Sequence, residues 1–171
     1  MKLEGLLSFT GVLVLSSSLG FAAVPGQEFT DPGGKYKIAL VGDWRAVSYS
    51  DAIGRQKTEF VYKDRSEGLL KITKESLAGA SLDAFVRQEE ESLKIYRPGY
   101  ERGSIEAFGG GPLRGLRFAF YSTDGGRKFA STHYYLQDGD SVWALRFNGK
   151  RGTVDLIRNI TDQMARSLRP L

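Results

Sequence analysis

Three long stretches near the C-terminus do most to limit what this chain can become: residues 114–122, 127–137 and 141–148. Each is rich in aromatic and branched side chains, and they are separated by STDGGR and QDGDS. Asp-Gly pairs supply the positive φ of a tight hairpin turn, so the three stretches predict an antiparallel meander. A segment of that kind must bury at least one face, and the rest of the chain has to provide the cover.

Upstream, the reading gives strands at 35–41, 44–49, 58–63 and 69–76, preceded by a loose arm, Ala23 to Thr30, and a turn at Asp31-Pro-Gly-Gly34. Residues 82–96 predict a helix with Ser81 as its N-cap and Leu82, Phe85, Val86, Leu93 and Tyr96 on one face. Pro98-Gly99 ends it, and FGGGP at 108–112 reads as a loop. A second helix is expected over 154–168, capped by Thr153, with Ile157, Ile160, Met164 and Leu168 as its stripe. Strands, helix, meander and helix in that order imply an α+β fold, a mostly antiparallel sheet flanked by helices.

The first 22 residues read as a secretory signal: Lys2, then an apolar stretch closing on Gly20 and Ala22. No cysteine follows to accept a lipid anchor. The expectation is cleavage near Ala23, a single domain over 23–171, and an exported protein, periplasmic or secreted, soluble or peripherally membrane-associated. With no cysteine anywhere, packing alone must hold it together, and thiolate catalysis is excluded.

The net charge is +4, unevenly spread. Residues 23–93 carry 10 Lys and Arg against 12 Asp and Glu, whereas 94–171 carry 13 against 7. A basic second half points to a partner with an acidic surface, protein or membrane-associated complex, or to an anionic membrane surface, and an exported chain with no long basic run is not a nucleic-acid binder.

Few residues carry chemistry. His133 is the only histidine, no serine stands in a G-x-S-x-G setting, and Asp138-Gly-Asp140 is too short for a calcium loop. GKRGT at 149–153 lacks phosphate-loop spacing and Asn159-Ile-Thr161 lies within a helix. No cofactor, metal or catalytic residue is assigned, and the chain is read as a non-enzyme.

Centring the turns between Asp124 and Gly125, and on Gly139, gives an explicit register. One face then holds Leu116, Phe118, Phe120, Phe129, Trp143, Leu145 and Phe147, with His133 between Leu116 and Leu145 as a core residue. The other face holds a row of Arg117, Thr132 and Arg146, with Ala119 opposite Ala130 and Tyr134 opposite Ala144. Arg117, Thr132, Arg146 and Tyr134 are therefore the candidate anion or partner site, since a guanidinium fork suits carboxylate or phosphate. Glu89 falls within the apolar arc of the first helix, where a carboxylate needs a partner. It is placed against Arg117 or Arg146, which leaves two readings open, internal pairing or an external ligand.

Taken together, KYKIALVGDW, FVYKD, SLDAFVRQEE, the meander and DLIRNITDQMARSL resemble the PsbP-like superfamily over nearly all of 23–171. The chain departs from the frequent family pattern in having Val41 where a proline often precedes the Gly-Trp corner. The resemblance implies an α/β/α sandwich and a non-enzymatic binding or assembly role in the cell envelope. It also brings two alternatives, an extrinsic subunit of the photosystem II oxygen-evolving complex and a small-ligand carrier. Trp44, at the strand corner, is read as fold rather than site.

Overall fold

The computed structural model describes residues 26–171, so the expected signal segment, 1–22, lies outside the described residues. Seven strands form the main sheet: β3 (Trp44–Ser50), β4 (Gln56–Tyr62), β5 (Gly68–Ser76), β6 (Glu101–Phe108), β7 (Arg114–Asp124), β8 (Arg127–Asp138) and β9 (Ser141–Lys150), in the order β3-β4-β5-β9-β8-β7-β6. Every pairing is antiparallel. A second sheet joins β1 (Gln27–Thr30), β2 (Tyr36–Leu40) and the two-residue β10 (Arg169–Pro170).

One face of the main sheet is covered by α1 (Leu82–Tyr96) and the other by the small sheet with α2 (Arg151–Leu156) and α3 (Arg158–Ser167). Leu82, Phe85, Val86 and Leu93 of α1 pack on Phe118, Phe120, Tyr135, Val142 and Ala144. On the opposite face Tyr36, Ile38 and Leu40 join Met164, Ala165 and Leu168 over Phe60, Leu70, Tyr134, Leu145 and Phe147. The architecture is α+β, and the middle strand shows why: Ala130 to Leu136 of β8 are all buried, because both of its faces are covered.

Several local expectations hold for a physical reason. Ser81 Oγ accepts from the Ala84 N–H at 3.2 Å and so caps α1, which stops at Tyr96 before Pro98-Gly99. Gly42 takes φ +67°, a conformation costly for other residues, and turns the chain from β2 into β3 so that Trp44 enters the core, 5% exposed.

Other expectations are corrected. The N-terminal arm is a strand from Gln27, its register Gln27–Leu40 to Thr30–Lys37 supplied by β2 rather than by its own polar sequence. β6 is a further strand with little apolar signature; Gly103 lets it approach β7 where a β-carbon would lie 2.0 Å from the Ala119 carbonyl oxygen. The last helix is two helices with a break at Ile157 (φ −95°, ψ 12°), and Thr153 is no cap: its hydroxyl donates to Glu67.

The meander register also differs. The β7–β8 turn is the two-residue Gly125-Gly126, both at positive φ, which pairs Asp124 with Arg127 and moves every partner by two. The β8–β9 turn is Gly139-Asp140, with positive φ at Gly139, and pairs Asp138 with Ser141. That second shift is one residue, and one residue exchanges faces. Trp143, Leu145 and Phe147 thus lie beneath the small sheet, while Leu116, Phe118 and Phe120 lie beneath α1.

Candidate functional site

The predicted row Arg117–Thr132–Arg146 does not exist. Arg117 stands opposite Tyr134, Thr132 opposite Ala119 and Phe147, and Arg146 opposite His133. Ala119 does not face Ala130, which lies opposite Tyr121, and Ala144 faces Tyr135 rather than Tyr134. The two arginines sit on opposite faces of the sheet, and each has become the centre of its own polar cluster.

On the α3 side, Arg117 Nη1 donates to both oxygens of Asp162 at 3.0 and 2.9 Å, and its Nη2 donates to Glu106 at 2.8 Å. Tyr134 donates to the same Asp162 at 2.6 Å and lies 3.0 Å from the Thr161 hydroxyl. Burial costs the Arg117 charge, but the Asp162 bonds outweigh it and its pKa moves up. Burial first and Asp162 second push the Tyr134 phenol well above its ordinary range. Arg117 and Tyr134 do belong to one site, and that site is closed from inside.

Beneath α1, Arg146 donates to Glu89 at 2.8 Å, to Glu75 at 2.7 Å and to Thr73 at 2.9 Å. Glu89 thus meets Arg146, one of its two expected partners. Burial opposes the Arg146 charge and the Glu75 and Glu89 bonds reverse the balance, raising its pKa. Burial would raise Glu75 as well, yet the Arg146 and Thr73 bonds hold it below the usual carboxylate range. Tyr135, its phenol pushed up by burial, stands 3.3 Å from Glu89 and 3.2 Å from His133 Nδ1. His133 Nε2 is 3.3 Å from Asn148 Oδ1, so the ring ends a buried polar chain beside Phe118 and Phe120. It is a core histidine, held neutral by burial with a pKa of about 3.

Thr132 has a different setting. With Ala119, Ala130 and Gly103 it lines a cleft of about 250 Å³, rimmed by Tyr121, Asp155 and Arg158. Tyr121 donates to Asp155 at 3.1 Å, and the Thr132 hydroxyl has no hydrogen-bond partner among the described residues. Asp162, the acid that anchors Arg117, was missed in the sequence because it stands two residues from Met164, outside the apolar stripe. An arginine inside a covered sheet was the clue that an acid had to lie opposite.

Among the described residues, no three His, Asp or Glu side chains are gathered to ligate one metal ion, and no helix is long and apolar enough to cross a membrane. The open charge lies elsewhere. Arg127, Lys128, Lys150 and Arg151 surround a depression of about 700 Å³ at one end of the meander, with Phe129 between them and Glu67 as the one acid among the described residues that line it.

No family model matches the chain, and no curated protein matches it in sequence. Solved structures do match. Cyanobacterial PsbP from Synechocystis aligns over 92% of this chain and 99% of its own, with a TM-score of 0.54 and 12% identity. LpqN of Mycobacterium tuberculosis, described as involved in cell envelope biogenesis, aligns over 85% of each chain, with a TM-score of 0.55 and 13% identity. A Bacteroides thetaiotaomicron protein gives a TM-score of 0.57 at 15% identity over 86% of this chain, which spans only 49% of that protein. These are likenesses of fold. The class is an antiparallel α+β sandwich, and within that class the chain has the PsbP-like fold.

Proposed function

We propose that the chain is an exported, non-catalytic binding or assembly protein of the cell envelope. One observation carries this reading: both half-buried arginines are held by the protein's own acids, while cations collect on an open surface where two of them, Arg127 and Lys128, have no acid partner among the described residues. Groups locked in internal pairs build a scaffold, and exposed cations recruit acidic surfaces. The apolar leader supports export, and the likeness to LpqN, a protein described by its envelope role, supports the compartment.

The test is fractionation of the producing cell, N-terminal sequencing, and capture of partners from envelope extracts on the purified protein. A chain beginning near Ala23 that retains an envelope component, released by salt, is the expected result. Protein that keeps Met1, stays in the cytoplasm and retains nothing would refute the proposal.

A second reading, a small-ligand carrier, is favoured by the cleft at Thr132. Its hydroxyl is unpartnered, and Arg158 at the rim has no ion pair among the described residues. A ligand there would have to be small and polar. Calorimetric titration of small carboxylates against wild type and Thr132→Val tests it, with binding by both proteins or by neither counting against the cleft.

A further inference from the structure

We propose that the end of the molecule built from the β7–β8 turn, the close of β9 and α2 docks on an anionic phospholipid bilayer. The inference rests on the binding reading above and supplies a partner class and a face for it.

Charge makes the first half of the case. Arg127, Lys128, Lys150 and Arg151 converge on one depression of about 700 Å³. The acid within it is engaged, since Glu67 holds Lys150 at 3.3 Å and accepts from Thr153. Arg151 is partly occupied too, 3.7 Å from Glu101 and stacked 3.8 Å over Tyr121. Arg127 and Lys128 have no acid within ion-pairing distance among the described residues, although Asp124 lies across the turn from Arg127. Cations without acids lose little water-exposed pairing when they meet lipid phosphates, and each adds attraction near an anionic surface.

The second half is apolar and independent of charge. The three most exposed large apolar side chains among the described residues are Leu156, Tyr96 and Ile95, at 84%, 81% and 74%. All three lie at this end. Leu156 is one helical turn beyond Gly152, on the same face of α2 as that wall of the depression. Ile95 and Tyr96 close α1, which is tied to the meander's end where Arg97 donates to Ser122 at 3.3 Å and Thr123 N–H donates to the Gly99 carbonyl at 3.0 Å. Ser122 in turn stands opposite Phe129.

A protein partner would also bury Leu, Ile and Tyr. These flank the cations from both faces of the sheet, however, Leu156 on α2 and Ile95 and Tyr96 on α1, so that one protein surface would have to wrap the end of the molecule. A bilayer interface takes both, phosphates on the Lys and Arg side chains and Leu, Ile and Tyr at the acyl boundary. The combination selects the bilayer.

The experiment is co-sedimentation of the purified chain, in its natural N-terminal form, with phosphatidylcholine vesicles, neutral or containing about one-third phosphatidylglycerol. Wild type should sediment with the anionic vesicles only and be released by salt. Arg127→Glu with Lys128→Glu should weaken binding about tenfold or more, because the two charges carry attraction rather than internal pairs. Leu156→Ser should weaken it several-fold at unchanged charge. Thermal melts of each variant, matching wild type, exclude unfolding as the cause. Equal binding to neutral vesicles, or variants that bind as wild type does, would overturn the proposal. So would tight binding of soluble polyglutamate with no effect of Leu156→Ser, which would give this face to an acidic protein. Absence of vesicle binding alongside captured envelope protein would sink the bilayer and leave the binding reading standing.

Discussion

Glu89 of α1 reaches across the helix–sheet interface to Arg146 of β9 at 2.8 Å, and Glu75 holds the same guanidinium from the neighbouring strand. The side chains are 23% exposed for Arg146 and 31% for Glu89, so the pair is neither sealed nor free in solvent. Arg146 keeps Glu75 if Glu89 is lost, whereas both acids lose their cation, and keep only the Thr73 and Tyr135 hydroxyls, if Arg146 is lost. Glu89→Ala should therefore cost about 1–2 kcal/mol and Arg146→Ala more, about 3 kcal/mol. Urea titration of the two single variants and the double variant checks this. Equal costs for both singles would mean that the second acid offers no compensation.

Arg117 provides the matching case on the other face, with a sharper contrast between its two acids. Asp162 is buried and also accepts from Tyr134, while the Glu106 side chain is 54% exposed. Asp162→Ala leaves the Arg117 guanidinium with Glu106 alone and the Tyr134 phenol with Thr161 alone, and should destabilise by about 2–3 kcal/mol, against under about 1 kcal/mol for Glu106→Ala. Denaturant midpoints decide it, and the reverse order of costs would contradict the geometry.

The two tryptophans are both buried, as their strand positions imply, but they differ at the indole nitrogen. Trp143 Nε1 donates to Asp138 at 3.1 Å, whereas Trp44 Nε1 is buried without a partner among the described residues. Either Trp→Ala change should cost on the order of 3–5 kcal/mol through the cavity it leaves. The phenylalanine substitutions should separate them. Trp143→Phe loses a bond to a carboxylate worth about 1.5–3 kcal/mol, while Trp44→Phe removes an unsatisfied donor and offsets part of its packing loss. Thermal unfolding of the two Phe variants is the measurement, and a greater loss for Trp44→Phe would overturn the assignment.

The uneven success of sequence reasoning follows from how each signal is stored. Helical periodicity placed Glu89 on the sheet-facing side because an error of one residue turns a helix by only 100°. In a strand the same error exchanges faces, and the position of one turn, at Gly139-Asp140, sufficed to put Arg146 on the wrong side. Burial of β8 on both faces removed the alternation that would have exposed the slip. β6 was invisible for another reason: it is a strand because β7 pairs with it, and Gly103 carries the fit as an absence of side chain. Arg117 and Tyr134 were recognisable as polar groups needing partners, whereas Asp162 lay off the stripe that marked its helix. The helix break at Ile157 had no proline or glycine to announce it.

His133 gives the protein a pH dependence whose direction is fixed by its burial. In the unfolded chain a histidine takes up a proton near pH 6.5. In the folded protein burial first, and the nearby Arg146 and Arg97 charges after it, hold the pKa at about 3 despite the Asn148 bond. The unfolded state therefore binds more protons everywhere between those values, and stability falls as pH falls through that window. The full contribution is present above about pH 6.5, and the loss should approach 1.4 kcal/mol per pH unit below it. Glu75 adds to the loss only at the acid end: its pKa is lowered, so its stabilisation disappears as it takes up a proton below the ordinary carboxylate range. Between about pH 6.5 and 5 the histidine term acts nearly alone. Urea unfolding at closely spaced pH values should show this slope in wild type and a nearly flat line for His133→Gln, whatever the variant's absolute stability. A variant that keeps the wild-type slope would assign the proton to another group.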